Sequence, residues 1–225
     1  MRLVLFDLDG TLVDSVPGIW ASIRVAAAGL GLPAPTEGQL RSMVGPPLED
    51  GFAAAFALTG DDVTRAVAAY RAHYTAGAML EATVYDGVPE LLDGLRAQGA
   101  VLAVATSKPE PFAVAVLEHT GLLPRFDSVH GATLDGRVRH KDQVVGAALA
   151  AHPDGEQPVL VGDRSQDVLG AAAHGLPCIG AGWGPAPPGE LVAAGAAAVA
   201  ATPADVPAAL ARLRAGWLAG PSTPS

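Results

Sequence analysis

The chain has 225 residues, half of them hydrophobic and 16% charged, which excludes global disorder and gives enough apolar surface for one large domain or a domain with a modest insertion. Its net charge of −9 argues against nucleic acid or an anionic membrane as a partner, so attraction for an anionic ligand must come from a local site. One cysteine, Cys178, rules out an internal disulfide and suits a reducing, cytoplasmic setting, with a monomer as the default expectation.

A strand is predicted at 2–6, Arg-Leu-Val-Leu-Phe, apolar on both faces as a central parallel strand should be. Because it starts at residue 2, no leader peptide is expected ahead of it, and no uncharged apolar run reaches the length of a membrane span. The strand runs into Asp7-Leu8-Asp9-Gly10-Thr11-Leu12-Val13-Asp14. Ser15 reads as a helix N-cap with Pro17 in the first turn, opening a helix to about residue 29. After a breaker-rich loop, Thr36 caps a short helix through Ser42. Gly45-Pro46-Pro47 forms a rigid turn, and helices follow to about residue 58 and from 60 to about 79. Residues 15–81 therefore read as all helix.

From there strands and helices alternate. Strands are predicted at 100–105, 126–131, 158–161 and 178–181, with a further short one between the last two helices, 190–195 and 203–214. Helices are predicted at 87–99, 111–119 and 141–151, and another follows Gly162-Asp163-Arg164-Ser165-Gln166-Asp167 to 174. Such alternation implies a parallel sheet with helices on both faces. Residues 216–225 are rich in Gly, Pro, Ser and Thr and read as a flexible tail.

Three predicted strands end in polar clusters: Asp7/Asp9/Thr11, Thr106/Ser107/Lys108 and Asp163/Asp167. Parallel strands present their carboxyl ends on one edge, where open α/β sheets bind ligands. Asp7 and Asp9, two apart, can face one site, and Gly10 lets the backbone turn closely around a ligand. Asp7, Asp9 and Asp163 are hard oxygen ligands of the kind Mg²⁺ uses. Thr106, Ser107 and a lysine can hold phosphoryl oxygens, a carboxylate can attack phosphorus, and a second can protonate the leaving oxygen. Only two of the fourteen basic residues are lysine, Lys108 and Lys141, which suggests positions where a compact ammonium is required. The six histidines show no metal-ligand spacing.

These motifs resemble the haloacid dehalogenase-like superfamily, in its phosphoglycolate-phosphatase-like branch. Asp7-Leu8-Asp9-Gly10-Thr11-Leu12 with Asp14-Ser15 matches the first family motif. Thr106-Ser107-Lys108-Pro109, Lys141, and Gly162-Asp163 with Asp167 occupy the places of the second, third and fourth. The resemblance covers about residues 2–214. It implies an α/β fold, a Rossmann-like doubly wound parallel sheet core (1–14 and 82–215) with an inserted all-helical cap (15–81) that closes on substrate. It also implies a Mg²⁺-dependent phosphatase working through an aspartyl-phosphate on a small-molecule phosphate monoester. Asp7 would be nucleophile and metal ligand. Asp9 would be the acid/base, lending its backbone carbonyl to the metal. Lys141 would neutralise charge, Asp163 would complete the metal site, and Asp167 would act on it through water. Gly10, Thr11, Thr106, Ser107 and Lys108 would surround the phosphoryl group, and Arg41 of the cap is a candidate for the rest of the substrate.

Within that resemblance, Asp9 separates the chain from dehalogenases, which need no acid for a leaving alcohol. The absence of lysine from 15–81 separates it from phosphonatases, which use a cap lysine. A sugar-phosphate mutase on the same core, or a non-catalytic phosphate-sensing protein, are the alternatives. Phosphoglycolate, a nucleoside monophosphate, a sugar phosphate and a specialised metabolite phosphate all remain open as substrate.

Overall fold

The computed structural model describes residues 2–219. In chain order the elements are β1 (Arg2–Phe6), β2 (Val13–Asp14), α1 (Val16–Gly29), α2 (Glu37–Ser42), α3 (Leu48–Phe56), α4 (Asp61–Thr75) and β3 (Thr83–Val84). They continue as α5 (Val88–Ala97), β4 (Val101–Pro109), α6 (Glu110–His119), β5 (Ser128–Ala132), α7 (Lys141–Ala151) and β6 (Glu156–Gly162). The chain closes with α8 (Ser165–Ala172), β7 (Cys178–Ala181), α9 (Glu190–Ala193), β8 (Ala198–Ala200) and α10 (Val206–Ala219).

The alternation of side chains along β1 builds both faces of the core. Leu3 and Leu5 join one buried cluster with Val144, Val145 and Ala148 of α7 and Val168 and Ala171 of α8. Val4 and Phe6 point the other way, into a cluster with Leu92 and Leu95 of α5, Val116 and Leu117 of α6 and Leu210 of α10. Those four β1 side chains are 0% exposed, and each contributes roughly 1.5–3 kcal/mol by burial. Six strands form the sheet in the order β5-β4-β1-β6-β7-β8, every neighbouring pair parallel. The fold is a doubly wound, Rossmann-like α/β core. From β1 the chain fills one side of the sheet through β4 and β5, then crosses to β6, β7 and β8. The crevice beyond the carboxyl ends of β4, β1 and β6 is thus the switch point where such sheets bind ligands.

Helices α1–α4 form the inserted all-helical layer, with a core of its own built on Ile23, Leu40, Phe52, Val67 and Tyr70. Thr36 caps α2 in a capping box: its Oγ1 accepts from Gln39 N at 3.3 Å while Gln39 Oε1 accepts from Thr36 N at 2.9 Å. The insertion enters and leaves through a feature too short to carry any periodicity in the sequence. β2 and β3 pair antiparallel, Val13 with Val84 and Asp14 with Thr83.

Several boundaries differ from expectation, among them the end of α4 at Thr75 and the start of β6 at Glu156. β4 runs on to Pro109, because Thr106 and Pro109 keep pairing with β5 across an irregularity in register. Helix α10 extends to Ala219, where a tail was expected from residue 216; the remainder of that expected tail, 220–225, lies outside the described residues. Among the described residues no helix is long and apolar enough to cross a membrane.

Candidate active site

Asp7 sits just past β1, its backbone N–H still donating to Val161 O of β6 at 2.9 Å. Sheet geometry therefore fixes its side chain before any partner does. Lys141, the first residue of α7, reaches back over the sheet edge and donates to Asp7 Oδ1 at 2.6 Å and to Ala105 O at 3.0 Å, while pairing with Asp167 Oδ1 at 2.7 Å. All three side chains are almost wholly buried. Burial pulls the Lys141 ammonium down, but Asp167 and Asp7 pull it up further, so it lies above the ordinary lysine value and stays charged. Burial raises the Asp7 carboxyl and Lys141 draws it back. With Asp167 opposing that, it ends at about 6 against an ordinary 3.8.

Behind this pair lies Asp163, 0% exposed. Thr11 Oγ1 donates to its Oδ1 at 3.1 Å, and Trp183 Nε1 holds Thr11 in turn through its carbonyl at 3.0 Å. Gly10 has φ +86°, and a Cβ there would lie 2.4 Å from Asp163 Oδ2, so glycine serves both the turn and the approach of that carboxylate. Among the described residues Asp163 Oδ2 has no hydrogen-bond partner, although it is buried. Burial first, then Asp167 and Asp7, hold the Asp163 carboxyl well above the usual range. Oxygens of Asp7, Asp163 and Asp167 come within 4.8 Å of one another. An orphaned buried carboxylate oxygen inside a cluster of three acids fits a small hard divalent cation, which would satisfy that oxygen and reverse the pressure toward protonation.

Asp167 is shared between two tasks. Its Oδ2 accepts from Arg164 N at 2.9 Å at the start of α8, and its Oδ1 faces Lys141. A Cβ on Gly162 would meet Asp167 Cγ at 2.3 Å, so this glycine admits the returning side chain.

Asp9 is two residues from Asp7 on the rim of the same cleft. Ser15 Oγ donates to Asp9 Oδ1 at 2.5 Å, and Lys108 Nζ makes a short ion pair with the same oxygen. Lys108 also lies over the Tyr74 ring, 5.3 Å from its centroid. Both lysines of the chain thus end at this site, one on each of the two leading aspartates. Asp7, Asp9, Thr106, Ser107, Lys108 and Lys141 line one cleft between the sheet edge and the helical layer. Thr106 Oγ1 accepts from Lys108 N at 3.3 Å, which shapes the loop after it.

The family model for haloacid dehalogenase-like hydrolases matches residues 4–181. The chain belongs to this family. A tyrosine-protein kinase, PtkA, from Mycobacterium tuberculosis is 45% identical over 185 residues, covering 81% of this chain and 62% of that protein. The match thus spans less than two thirds of that relative. A 5'-nucleotidase from Pseudomonas aeruginosa is 38% identical over 182 residues, covering 80% of this chain and 82% of that protein. The crystal structure of a "predicted phosphatase" from Clostridium acetobutylicum superposes with a TM-score of 0.87 at 35% identity, covering 95% of this chain and 98% of that one.

Three side chains of this haloacid dehalogenase-like protein depart from the sequence expectation. Arg41 does not reach the cleft. Its guanidinium pairs with Glu37 at 2.5 Å on the exposed face of α2 and stacks on Trp20, 5.7 Å from the ring centroid. Thr11 turns its hydroxyl to Asp163, and neither it nor Gly10 lines the cleft; both shape the carboxylate cluster instead. Ser15 makes no side-chain cap on α1, since its hydroxyl goes to Asp9; Asp14 Oδ1 takes the Val16 N–H at 3.1 Å in its place.

Arg164, which nothing in the sequence singles out, also belongs to this region. It is 8% exposed. Its Nε donates to Glu190 Oε1 at 3.0 Å, and its NH1 donates to Arg41 O at 3.3 Å and to Val44 O. Carbonyls at a helix C-terminus lack partners inside the helix, so a guanidinium from the core finds them ready to accept. This clasp joins the loop after Asp163 to the Gly45-Pro46-Pro47 turn of the cap.

Proposed function

We propose that the chain is a Mg²⁺-dependent phosphatase acting on a small phosphate monoester through an aspartyl-phosphate intermediate. The observation that carries this reading is Asp7, held at the strand end between a buried lysine and two further acids, with Asp9 two residues on and open to the cleft. The sheet-edge location, the family and the names of the relatives support it.

In this reading an Asp7 oxygen attacks phosphorus in line with the ester oxygen. The P–O bond to the alcohol breaks as Asp9 gives that oxygen its proton. Asp9, now a carboxylate, takes a proton from water; the water attacks phosphorus, and phosphate leaves with Asp7 restored. Lys108 and Ser15 fix the Asp9 carboxyl so that it meets the leaving oxygen. Lys141 offsets the Asp7 charge that would repel an anionic ester. Thr106 and Ser107 hold the phosphoryl oxygens. Asp7, Asp163 and the Asp9 carbonyl would hold Mg²⁺, with Asp167 acting through water. When bound, the ion supplies charge neutralisation for the phosphoryl group.

The test is Asp7→Asn with p-nitrophenyl phosphate, in Mg²⁺ and in EDTA, together with hydroxylamine trapping of an acyl phosphate in the parent. Turnover should fall by several orders of magnitude in the folded variant. Near-normal kcat in Asp7→Asn, or full activity in EDTA, removes the mechanism. The 45% identity to a protein named as a tyrosine kinase favours one second reading, phosphoryl transfer from a nucleotide to a phenol. The same preparation distinguishes it: label from the ATP γ-phosphate appears in protein under the kinase reading, and as inorganic phosphate under the phosphatase reading.

A further inference from the structure

The inner wall of the cleft and its mouth differ in chemistry. Met43, Val44, Tyr70 and Tyr74 of the cap line the inside, each at most 7% exposed. Tyr70 and Tyr74 stack with centroids 5.2 Å apart, and Phe112 of α6 meets Tyr74 edge-on at 6.3 Å, carrying the aromatic row across to the core. Burial holds both tyrosine hydroxyls well above their ordinary pKa, so this wall is neutral.

The cations that line the cleft are all engaged. At the mouth, Arg71 and Arg139 are 31% and 38% exposed and pair with Glu49 at 3.2 Å and Asp50 at 2.5 Å. Arg164 is held by Glu190 and the carbonyls of Arg41 and Val44. Inside, Lys108 belongs to Asp9, and Lys141 to Asp7 and Asp167. A carboxylate two bonds from the ester oxygen would be stripped of water against Val44 and Tyr74 with no uncommitted cation in reach among the described residues, a costly placement. A flat or apolar body there gains burial and ring contacts.

We propose that the alcohol half of the substrate is neutral and aromatic or apolar, seated on the Tyr70–Tyr74–Phe112 row, and that short carboxylated esters such as phosphoglycolate are poor substrates. This deepens the phosphatase reading and rests on it for turnover, whereas binding tests it separately. The experiment has two arms on the full chain with Mg²⁺. Steady-state kinetics compares benzyl phosphate with 2-phosphoglycolate, and calorimetry compares the inert benzylphosphonate with phosphonoacetate. The aromatic member should lead by about tenfold or more in both arms, the scale set by burying one ring. Phe112→Ala, a change on the core side that removes the ring contact with Tyr74, should cut the benzyl-to-glycolate ratio by about threefold to tenfold, the worth of one ring pair. Turnover with phosphoglycolate equal or ahead overturns the inference while the phosphatase reading stands. Absence of turnover with benzylphosphonate still preferred overturns the phosphatase reading and leaves the inference standing. Equal binding of the two phosphonates, or binding of neither, overturns the inference.

Discussion

Replacing Lys141 probes the charge balance of the whole cluster. Its ammonium lies 2.6 Å from Asp7 Oδ1 and 2.7 Å from Asp167 Oδ1, and its side chain is 5% exposed. Lys141→Met keeps most of the stem and deletes the charge, leaving buried acids facing one another. Breaking a buried pair by removing one partner costs about 3–5 kcal/mol. For a domain of this size, with about 2–4 °C per kcal/mol, Tm should fall by roughly 6–20 °C in EDTA, less with Mg²⁺. Catalysis loses the attraction that lets an anionic ester approach Asp7. Two unit charges about 4 Å apart interact by about 4 kcal/mol at an effective dielectric of 20, so kcat/KM should drop about 10²–10³-fold after partial compensation by the metal. Lys141→Arg keeps the charge but not the shape. The lysine stem is pressed against α8, where a Cβ on Gly170 would sit 2.5 Å from Lys141 Cγ, leaving no lateral room for a planar fork. The assay is thermal unfolding plus steady-state kinetics on both variants. An arginine variant within threefold of the parent refutes the compact-cation reasoning, and an unchanged Tm in Lys141→Met refutes the charge balance.

The same contacts yield three further expectations. Lys108→Ala frees Asp9 from its ion pair, so kcat should fall by about 10²-fold, the low end of what a well-placed acid/base contributes, more than KM changes; an effect confined to KM would put Lys108 on the substrate instead. Gly170→Ala drives a methyl into the Lys141 stem and should cost about 1–3 kcal/mol in urea unfolding, with activity reduced; a neutral result would show that α8 yields freely. The raised Asp7 carboxyl, at about 6 in the fold against 3.8 when free, means the metal-free fold binds a proton that the unfolded chain has released, so in EDTA stability should decline as pH climbs from 4 to 6. Mg²⁺ must displace that proton, so its affinity by calorimetry should be about tenfold weaker at pH 5 than at pH 7, and a flat profile would contradict the assignment.

The sheet and the strand-end acids were legible because burial on two faces writes itself as continuous apolar runs, and a ligand edge as polar residues directly after them. Lys108 and Lys141 stood out through scarcity and through their places in the ordered motifs. What escaped were choices between partners. Ser15 before Val16-Pro17 has the signature of a helix cap, and nothing in one dimension tells its hydroxyl to prefer Asp9 six residues back. Arg164 carries no signal in the sequence because its acceptors Arg41 O and Val44 O are backbone atoms about 120 residues away. Arg41 is different: Glu37 lies four residues earlier on the same helix, a spacing that announces an exposed ion pair and was available to be read. β2 and β3, two residues each, carry no periodic signal at all.

That two-rung ribbon sets the terms on which the core tolerates its insertion. Val13 faces Val84 and Asp14 faces Thr83, so the chain departs and returns at adjacent points. To the sheet, everything between them is one closed loop. The entropic penalty of a closed loop grows only with the logarithm of its length, about 0.6 kcal/mol per doubling. The loop-closure cost to the core is therefore nearly the same whether residues 15–82 make a large insertion or a small one, and only contacts such as the Arg164 clasp and the Phe112–Tyr74 pair are specific to this one. Selectivity can drift by exchanging what hangs from the ribbon, while the carboxylates at the sheet edge keep their places.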